Sequence, residues 1–173
     1  RYWDAGVAGW PERQVGIVQP NEVPSEPLPA PAPGYSRAYP PEMALTEQLA
    51  AAGADVIIWP ETRYKGYFHY PHVRQSFSRH VAELGVPLVF QDIERIGTGR
   101  GQIQYNTAVW LGPNGEHAGV YRKIRRVPLG EYIPLLHYAP ALQLWLNDRL
   151  PELFANFESG AGPMAFAAGE FTM

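Results

Sequence analysis

Four short stretches carry side chains that could do chemistry. Trp59-Pro60-Glu61-Thr62 follows the apolar run Asp55–Trp59, which reads as a strand buried on both faces. In open α/β sheets ligands bind beyond the carboxyl ends of the strands, so a carboxylate at Glu61 is placed for a site. Desolvation against Trp59 and near Tyr64 would raise its pKa and suit it to general-base work. Position alone leaves a solvated loop glutamate as an equal reading. Tyr121-Arg122-Lys123 ends a second strand-like run, where Lys123 could donate to a developing oxyanion, although surface lysines are common. Gly130-Glu131-Tyr132-Ile133-Pro134 sets Glu131 eight residues beyond Lys123 in a Pro-braced loop, able to hold that ammonium in place or to be a plain turn glutamate. Tyr105-Asn106-Thr107 lies just inside a strand, and Asn106 reads as a structural residue that bonds nearby backbone groups.

Other chemistries are poorly supported. His69 and His72 are three apart with Pro71 between them, and His80 lies downstream, which disfavours one metal-binding helical face. The sequence has no cysteine, so disulfides, thiolate metal sites and a thiol nucleophile are absent from these 173 residues. Gly97–Gly101 (GTGRG) reads as a flexible loop and lacks the dinucleotide fingerprint. No cofactor is implied.

Elements must exist to bring these stretches together. Gln14–Gln19 reads as a strand stopped by Pro20, and eight of the eighteen prolines fall between Pro20 and Pro41, which makes that segment an extended loop. Glu42–Ala52 is Ala/Leu-rich and ends at Gly53, and Pro71–Leu84 ends at Gly85, so both read as helices with glycine stops. Pro87–Gln91 reads as the next strand. The order strand, helix, strand, helix, strand is that of an α/β layer fold. Gln102–Leu111 and Glu116–Tyr121 then flank Gly112-Pro113-Asn114-Gly115, a hairpin turn signal. Leu135–Leu150 reads as an amphipathic helix broken by Pro140, and Ser159–Gly162 as a turn. Net charge is −3 without a basic run, which argues against nucleic acid as a partner. No apolar stretch approaches the ~18 residues of a membrane span.

Taken in order, five motifs resemble the nitrilase superfamily and, within it, its apolipoprotein N-acyltransferase branch. They are VGIVQPN (Val15–Asn21), VIIWPET (Val56–Thr62), YNTAVWLGPNG (Tyr105–Gly115), YRK (Tyr121–Lys123) and VPLGEYIP (Val127–Pro134). The first and last point most narrowly to that branch. The resemblance implies an α-β-β-α sandwich, incomplete at the C-terminus, with residues 1–13 as a lead-in and 14–173 as a partial catalytic domain containing the Pro-rich loop 20–41. It implies a Glu-Lys-Cys set in which Glu61 is the base, Lys123 serves the oxyanion and Glu131 supports the site. It further implies a phospholipid acyl donor and an apolipoprotein N-terminal amine as acceptor. Membrane attachment would come through parts outside this chain, at the periplasmic face of the bacterial inner membrane. Lacking the cysteine, the chain reads as a piece cut short of its nucleophile, expected to be inactive and poorly stable by itself. A soluble amidase or carbamoyl hydrolase of the same superfamily, and a noncatalytic module that keeps the cleft, are the competing expectations.

Overall fold

Prolines and glycines punctuate the chain where the sequence led us to expect. In a computed structural model, residues 12–19, 30–61, 65–98, 102–128, 131–132, 157–168 and 171–172 are described, with a few isolated positions between 138 and 149. Strand β1 (Val15–Ile17) is followed by helix α1 (Pro41–Ala51), strand β2 (Val56–Ile58) and helix α2 (Pro71–Leu84). Both helices begin with proline in the first turn, where a missing N–H leaves nothing unpaired. Helix α2 stops at Gly85, whose φ of 68° is left-handed and whose N–H returns to the Val81 carbonyl at 2.9 Å. Strands β3 (Leu88–Ile96), β4 (Ile103–Leu111) and β5 (His117–Arg122) follow, and then a small hairpin, β6 (Ala167–Ala168) with β7 (Phe171–Thr172).

The first five strands form one sheet in chain order, parallel from β1 to β3 and antiparallel from β3 to β5. Each parallel step crosses over through a helix, as parallel neighbours require. Both helices pack on one face: Met43, Val73, Phe77 and Val81 meet Ile57, Leu88, Phe90 and Val109, all buried. Aromatic rings fill this layer, with Phe77–Phe90 centroids 5.3 Å apart and Trp59–Phe77 5.5 Å apart, both edge to face. On the opposite face Val56 and Trp110 are buried with Val89 and Phe166 against them. The fold class is therefore α/β as expected, and one helical layer and one mixed sheet of a nitrilase-like sandwich are present among the described residues.

Strand β3 is longer than its sequence suggests. Pro87–Gln91 is apolar enough to read as a strand, whereas Asp92-Ile93-Glu94-Arg95 is not. Pairing with β4 nevertheless continues through nine residues, from Leu88↔Leu111 to Ile96↔Ile103. The ladder's hydrogen bonds and the ion pairs described below outweigh the polar composition. Gly97 (φ 83°) therefore lies at the turn of a β3–β4 hairpin. At the β4–β5 turn the Gly115 N–H donates to the Gly112 carbonyl (2.9 Å), and a Cβ on Gly115 would stand 2.0 Å from the Ser78 carbonyl oxygen of α2. Ala161 and Gly162 form a bend within the expected turn. Most of the lead-in, residues 20–29 of the Pro-rich loop and most of the Leu135–Leu150 helix lie outside the described residues. No helix among the described residues is long and apolar enough to cross a membrane.

Candidate active site

The sheet brings Glu61, Asn106, Lys123 and Glu131 to one point. Trp59 directly follows β2. Its N–H donates to the Val89 carbonyl (2.8 Å), and its indole N–H donates to Thr46 Oγ1 (2.7 Å). The indole is thus committed to the helical core rather than to Glu61. Pro60 ends the ladder, and Glu61 projects beyond it with a side chain 59% exposed. Of the two readings that position alone left equal, a desolvated base and a solvated loop glutamate, the described residues leave the carboxylate largely exposed, and Tyr64 lies outside them.

Asn106 sits on β4, four residues from Trp110 and so on the same face of the sheet. Lys123 directly follows β5, and its backbone N–H donates to the Asn106 carbonyl at 2.8 Å, extending the ladder by one step. This register places both side chains beside Glu61. Lys123 Nζ lies 3.2 Å from Glu61 Oε1 and 3.0 Å from Glu131 Oε1. Asn106 Nδ2 donates to the same two oxygens, at 2.6 and 3.2 Å. The amide nitrogen must be the atom facing two carboxylates, since its oxygen could only repel them.

The two glutamates are held differently. Glu131 has a side chain only 12% exposed, and both of its oxygens are engaged, because Oε2 accepts the Val127 N–H at 2.9 Å. Its backbone is tied at both ends, N–H to the Val127 carbonyl (2.8 Å) and carbonyl to the Phe157 N–H (3.1 Å). Burial pushes the Glu131 carboxyl up. The Lys123 hydrogen bond, the Val127 N–H, the Asn106 amide and the Lys123 charge together outweigh that, and the group ends below its ordinary range. For Lys123 burial pulls down, while hydrogen bonds and charge from Glu131 and Glu61 win, so the ammonium is held above the usual lysine range. Glu61 receives both donors on Oε1, and among the described residues none donates to its Oε2. Glu131 is thus a fixed support, while Glu61 offers one oxygen for a proton.

The neighbouring shell is built from contacts that the sequence did not assign. Arg122 makes a two-pronged ion pair with Glu94 (Nε–Oε2 2.7 Å, Nη2–Oε1 2.8 Å) and lies 4.6 Å from the Tyr105 ring centroid. Segment 157–160 closes against the same strand end. Gly160 N–H donates to the Lys123 carbonyl (3.0 Å), Arg126 Nη1 to the Phe157 carbonyl (2.7 Å), and the Ser159 hydroxyl to the Ile124 carbonyl. The three histidines do not join this group. His80 Nδ1 donates to the Ser76 carbonyl (2.7 Å), while His69 meets the Tyr70 ring edge to face and His72 meets it tilted. Among the described residues no cluster of three or more His, Asp or Glu could hold a metal ion. Asn106 is the member whose role sequence reasoning understated. The available signal was its parity with Ala108 and Trp110 on β4, which puts its amide on the sheet face that Val89 and Trp110 share.

Two carboxylates and an ammonium gathered where parallel strands end, on a sheet of this topology, define an α/β domain of the nitrilase-like kind. Residues 15–142 match the family model described as carbon-nitrogen hydrolase. The chain belongs to that family. It is 33% identical over 141 residues to apolipoprotein N-acyltransferase 2 of Treponema pallidum (strain Nichols), covering 74% of this chain and 24% of that protein. It is 32% identical over 152 residues to the apolipoprotein N-acyltransferase of Chlorobaculum tepidum, covering 77% and 28%. The chain thus spans about a quarter of the length of these relatives. Among solved structures, a mutant of the Nesterenkonia AN1 amidase from the nitrilase superfamily superposes with a TM-score of 0.53 at 16% identity, over 94% of this chain and 55% of that one. That likeness is one of fold.

Proposed function

We propose that this chain is part of the catalytic domain of an N-acyltransferase. The enzyme moves an acyl chain from a membrane phospholipid, through a cysteine thioester, to the N-terminal amine of an apolipoprotein. The observation that carries the reading is the Glu61–Lys123–Glu131 cluster in a chain about 30% identical to proteins of that name over three-quarters of its length. The sequence has no cysteine, so the thiol of the proposed enzyme lies outside these residues.

Each group has a task in this chemistry. Glu61 accepts the thiol proton on Oε2 as the sulfur attacks the ester carbonyl. The carbonyl oxygen becomes an oxyanion, which the Lys123 ammonium stabilises. Collapse breaks the ester C–O bond, and the leaving alkoxide takes the proton back from Glu61, giving a lysophospholipid and the thioester. In the second half the acceptor amine attacks the thioester carbonyl and passes a proton to Glu61. The C–S bond breaks, and the thiolate is reprotonated. Glu131 and Asn106 keep Lys123 and Glu61 in register throughout. Action at the periplasmic face of the inner membrane, with anchoring supplied elsewhere in the protein, belongs to the same proposal.

The test is mass spectrometry of the full-length protein after mixing with phospholipid in detergent, for parent and Glu61→Gln. The expected result is an acyl adduct on a cysteine of the parent, discharged by an N-terminal amine, and none in the variant over the time in which the parent is fully acylated. Discharge to water alone makes the protein an amidase-type hydrolase. Absence of any adduct on the parent makes it a noncatalytic module.

A further inference from the structure

Asp92 is a carboxylate in a place where the pattern calls for an apolar side chain. Along β3, Leu88, Phe90 and Asp92 alternate onto the helix-covered face, and all are fully or almost fully buried, Asp92 at 0% exposure. A buried carboxylate is costly unless it is hydrogen-bonded. Beside the adjacent Ile93 backbone, this one takes its bonds from one short stretch of chain. The Lys65 N–H (2.8 Å) and Gly66 N–H (3.3 Å) donate to Oδ1, and the Phe68 N–H (3.3 Å) donates to Oδ2. Gly66 has a φ of 85°, a left-handed turn that lets successive N–H groups converge on one anion.

That stretch begins four residues after Glu61. Two residues before Glu61, Trp59 is fixed by its own N–H and indole bonds. The Lys65 ammonium adds a buried ion pair with Glu42 of α1, whose side chain is 8% exposed. Fixed backbone thus stands on either side of Glu61 in the sequence, at Trp59 and at Lys65–Phe68, and Asp92 holds the second of these. The same anchor is tied to the rest of the cluster: Asp92 stands opposite Thr107 in the β3–β4 ladder, and Asn106, the amide that holds Glu61, is the next residue along.

We propose that Asp92 is a positioning residue for the proton-transfer site: its buried carboxylate clamps the Lys65–Phe68 backbone and so sets where Glu61 stands relative to Asn106 and Lys123. The inference rests on the reading of Glu61 as general base. Small displacements of a reacting group cost rate far beyond their effect on stability, about 100-fold for a shift near 1 Å. The Glu42–Lys65 pair and the Trp59–Thr46 bond hold the neighbouring backbone but do not reach the Gly66 and Phe68 amides.

The test uses the full-length protein and single-turnover thioester formation. Asp92→Asn preserves volume and one acceptor oxygen, and is expected to slow thioester formation about 10- to 100-fold with the KM for phospholipid within about twofold. Gly66→Ala strains the same turn from the loop side without altering the carboxylate, and is expected to slow the step in the same sense. In a Glu61→Gln background neither substitution should change the residual rate by more than about twofold, because the group they place is already gone. Parent-like rates for both single variants overturn the proposal while leaving Glu61 as base. An undiminished loss in the Glu61→Gln background also overturns it and makes Asp92 a residue of the fold alone. A Glu61→Gln protein that acylates at the parent rate removes the base assignment itself, and this inference with it.

Discussion

Asn106 and Lys123 donate to the same two oxygens, Oε1 of Glu61 and Oε1 of Glu131, while the Lys123 backbone N–H is bonded to the Asn106 carbonyl. One ladder step thus fixes an amide and an ammonium side by side, and each then bridges both carboxylates. Two glutamates this close would repel each other without donors between them. Among the described residues the arrangement leaves Glu131 with no oxygen to spare and Glu61 with one, which is the ground for proposing different tasks for two residues of the same type.

Removing the ammonium tests the oxyanion role. Lys123→Ala in the full-length protein is expected to slow thioester formation by about two to three orders of magnitude. Lys123→Arg keeps the charge but changes its shape, and should recover only part of the loss. Rapid-quench measurement of the thioester decides it, and a parent-like rate for the alanine variant places Lys123 outside the chemistry.

Asn106 gives a second prediction. Asn106→Asp is nearly isosteric but sets a third carboxylate against Glu61 and Glu131. It should slow thioester formation more than Asn106→Ala does, and the gap should narrow with added salt to the extent that solvent reaches the cluster. Equal rates for the two variants would show that repulsion from a third carboxylate adds nothing to the loss of the amide's hydrogen bonds.

Much of this was legible in the sequence, and the reasons differ by element. Helix α2 carries both of its own boundaries, Pro71 and Gly85, and was read to the residue. The hairpin turn at Gly112–Gly115 and the short parallel strands followed from turn chemistry and apolar runs. The polar half of β3 was missed because long-range pairing with β4, not local propensity, makes it a strand. Glu61, Lys123 and Glu131 stood out by motif, and the structure brings them within hydrogen-bond reach of one another. Asp92 and the Arg122–Glu94 pair could not be seen, since their partners are backbone amides or side chains about 30 residues away, defined only by register.

Glu131 predicts how stability responds to acid. Its folded-state pKa lies below the ordinary 4.5, so the carboxylate contributes stability fully above that value, and the contribution is lost as pH falls through the lower folded pKa. Lys123 is the mirror case. Its folded pKa lies above the ordinary 10.5, so its contribution is whole below that value and disappears as pH rises through the higher one. Urea melts of parent and Glu131→Gln should therefore differ most near neutral pH and converge only as pH falls through the lowered Glu131 pKa. A gap that is constant from pH 7 to pH 3 would mean that Glu131 contributes through packing instead of charge.

Gly160 links the 157–160 segment to the site and can be tested without touching any charged group. A Cβ there would stand 2.1 Å from the Arg122 carbonyl oxygen and 2.9 Å from the Arg122 Cβ, distances no real contact sustains. The Gly160 N–H also donates to the Lys123 carbonyl, so the strain of an added methyl falls on the strand end that aims the ammonium. Gly160→Ala should destabilise the protein by about 1–3 kcal/mol, as overpacking typically does. It should also slow thioester formation, because backbone that yields at Arg122 carries Lys123 with it. Gly162→Ala is the matched control, since a Cβ at Gly162 meets nothing within 4 Å. Thermal melts and thioester rates for the pair separate the two expectations. A Gly160→Ala protein that loses stability but keeps its rate would show that the strain is absorbed by segment 157–160 and never reaches Lys123.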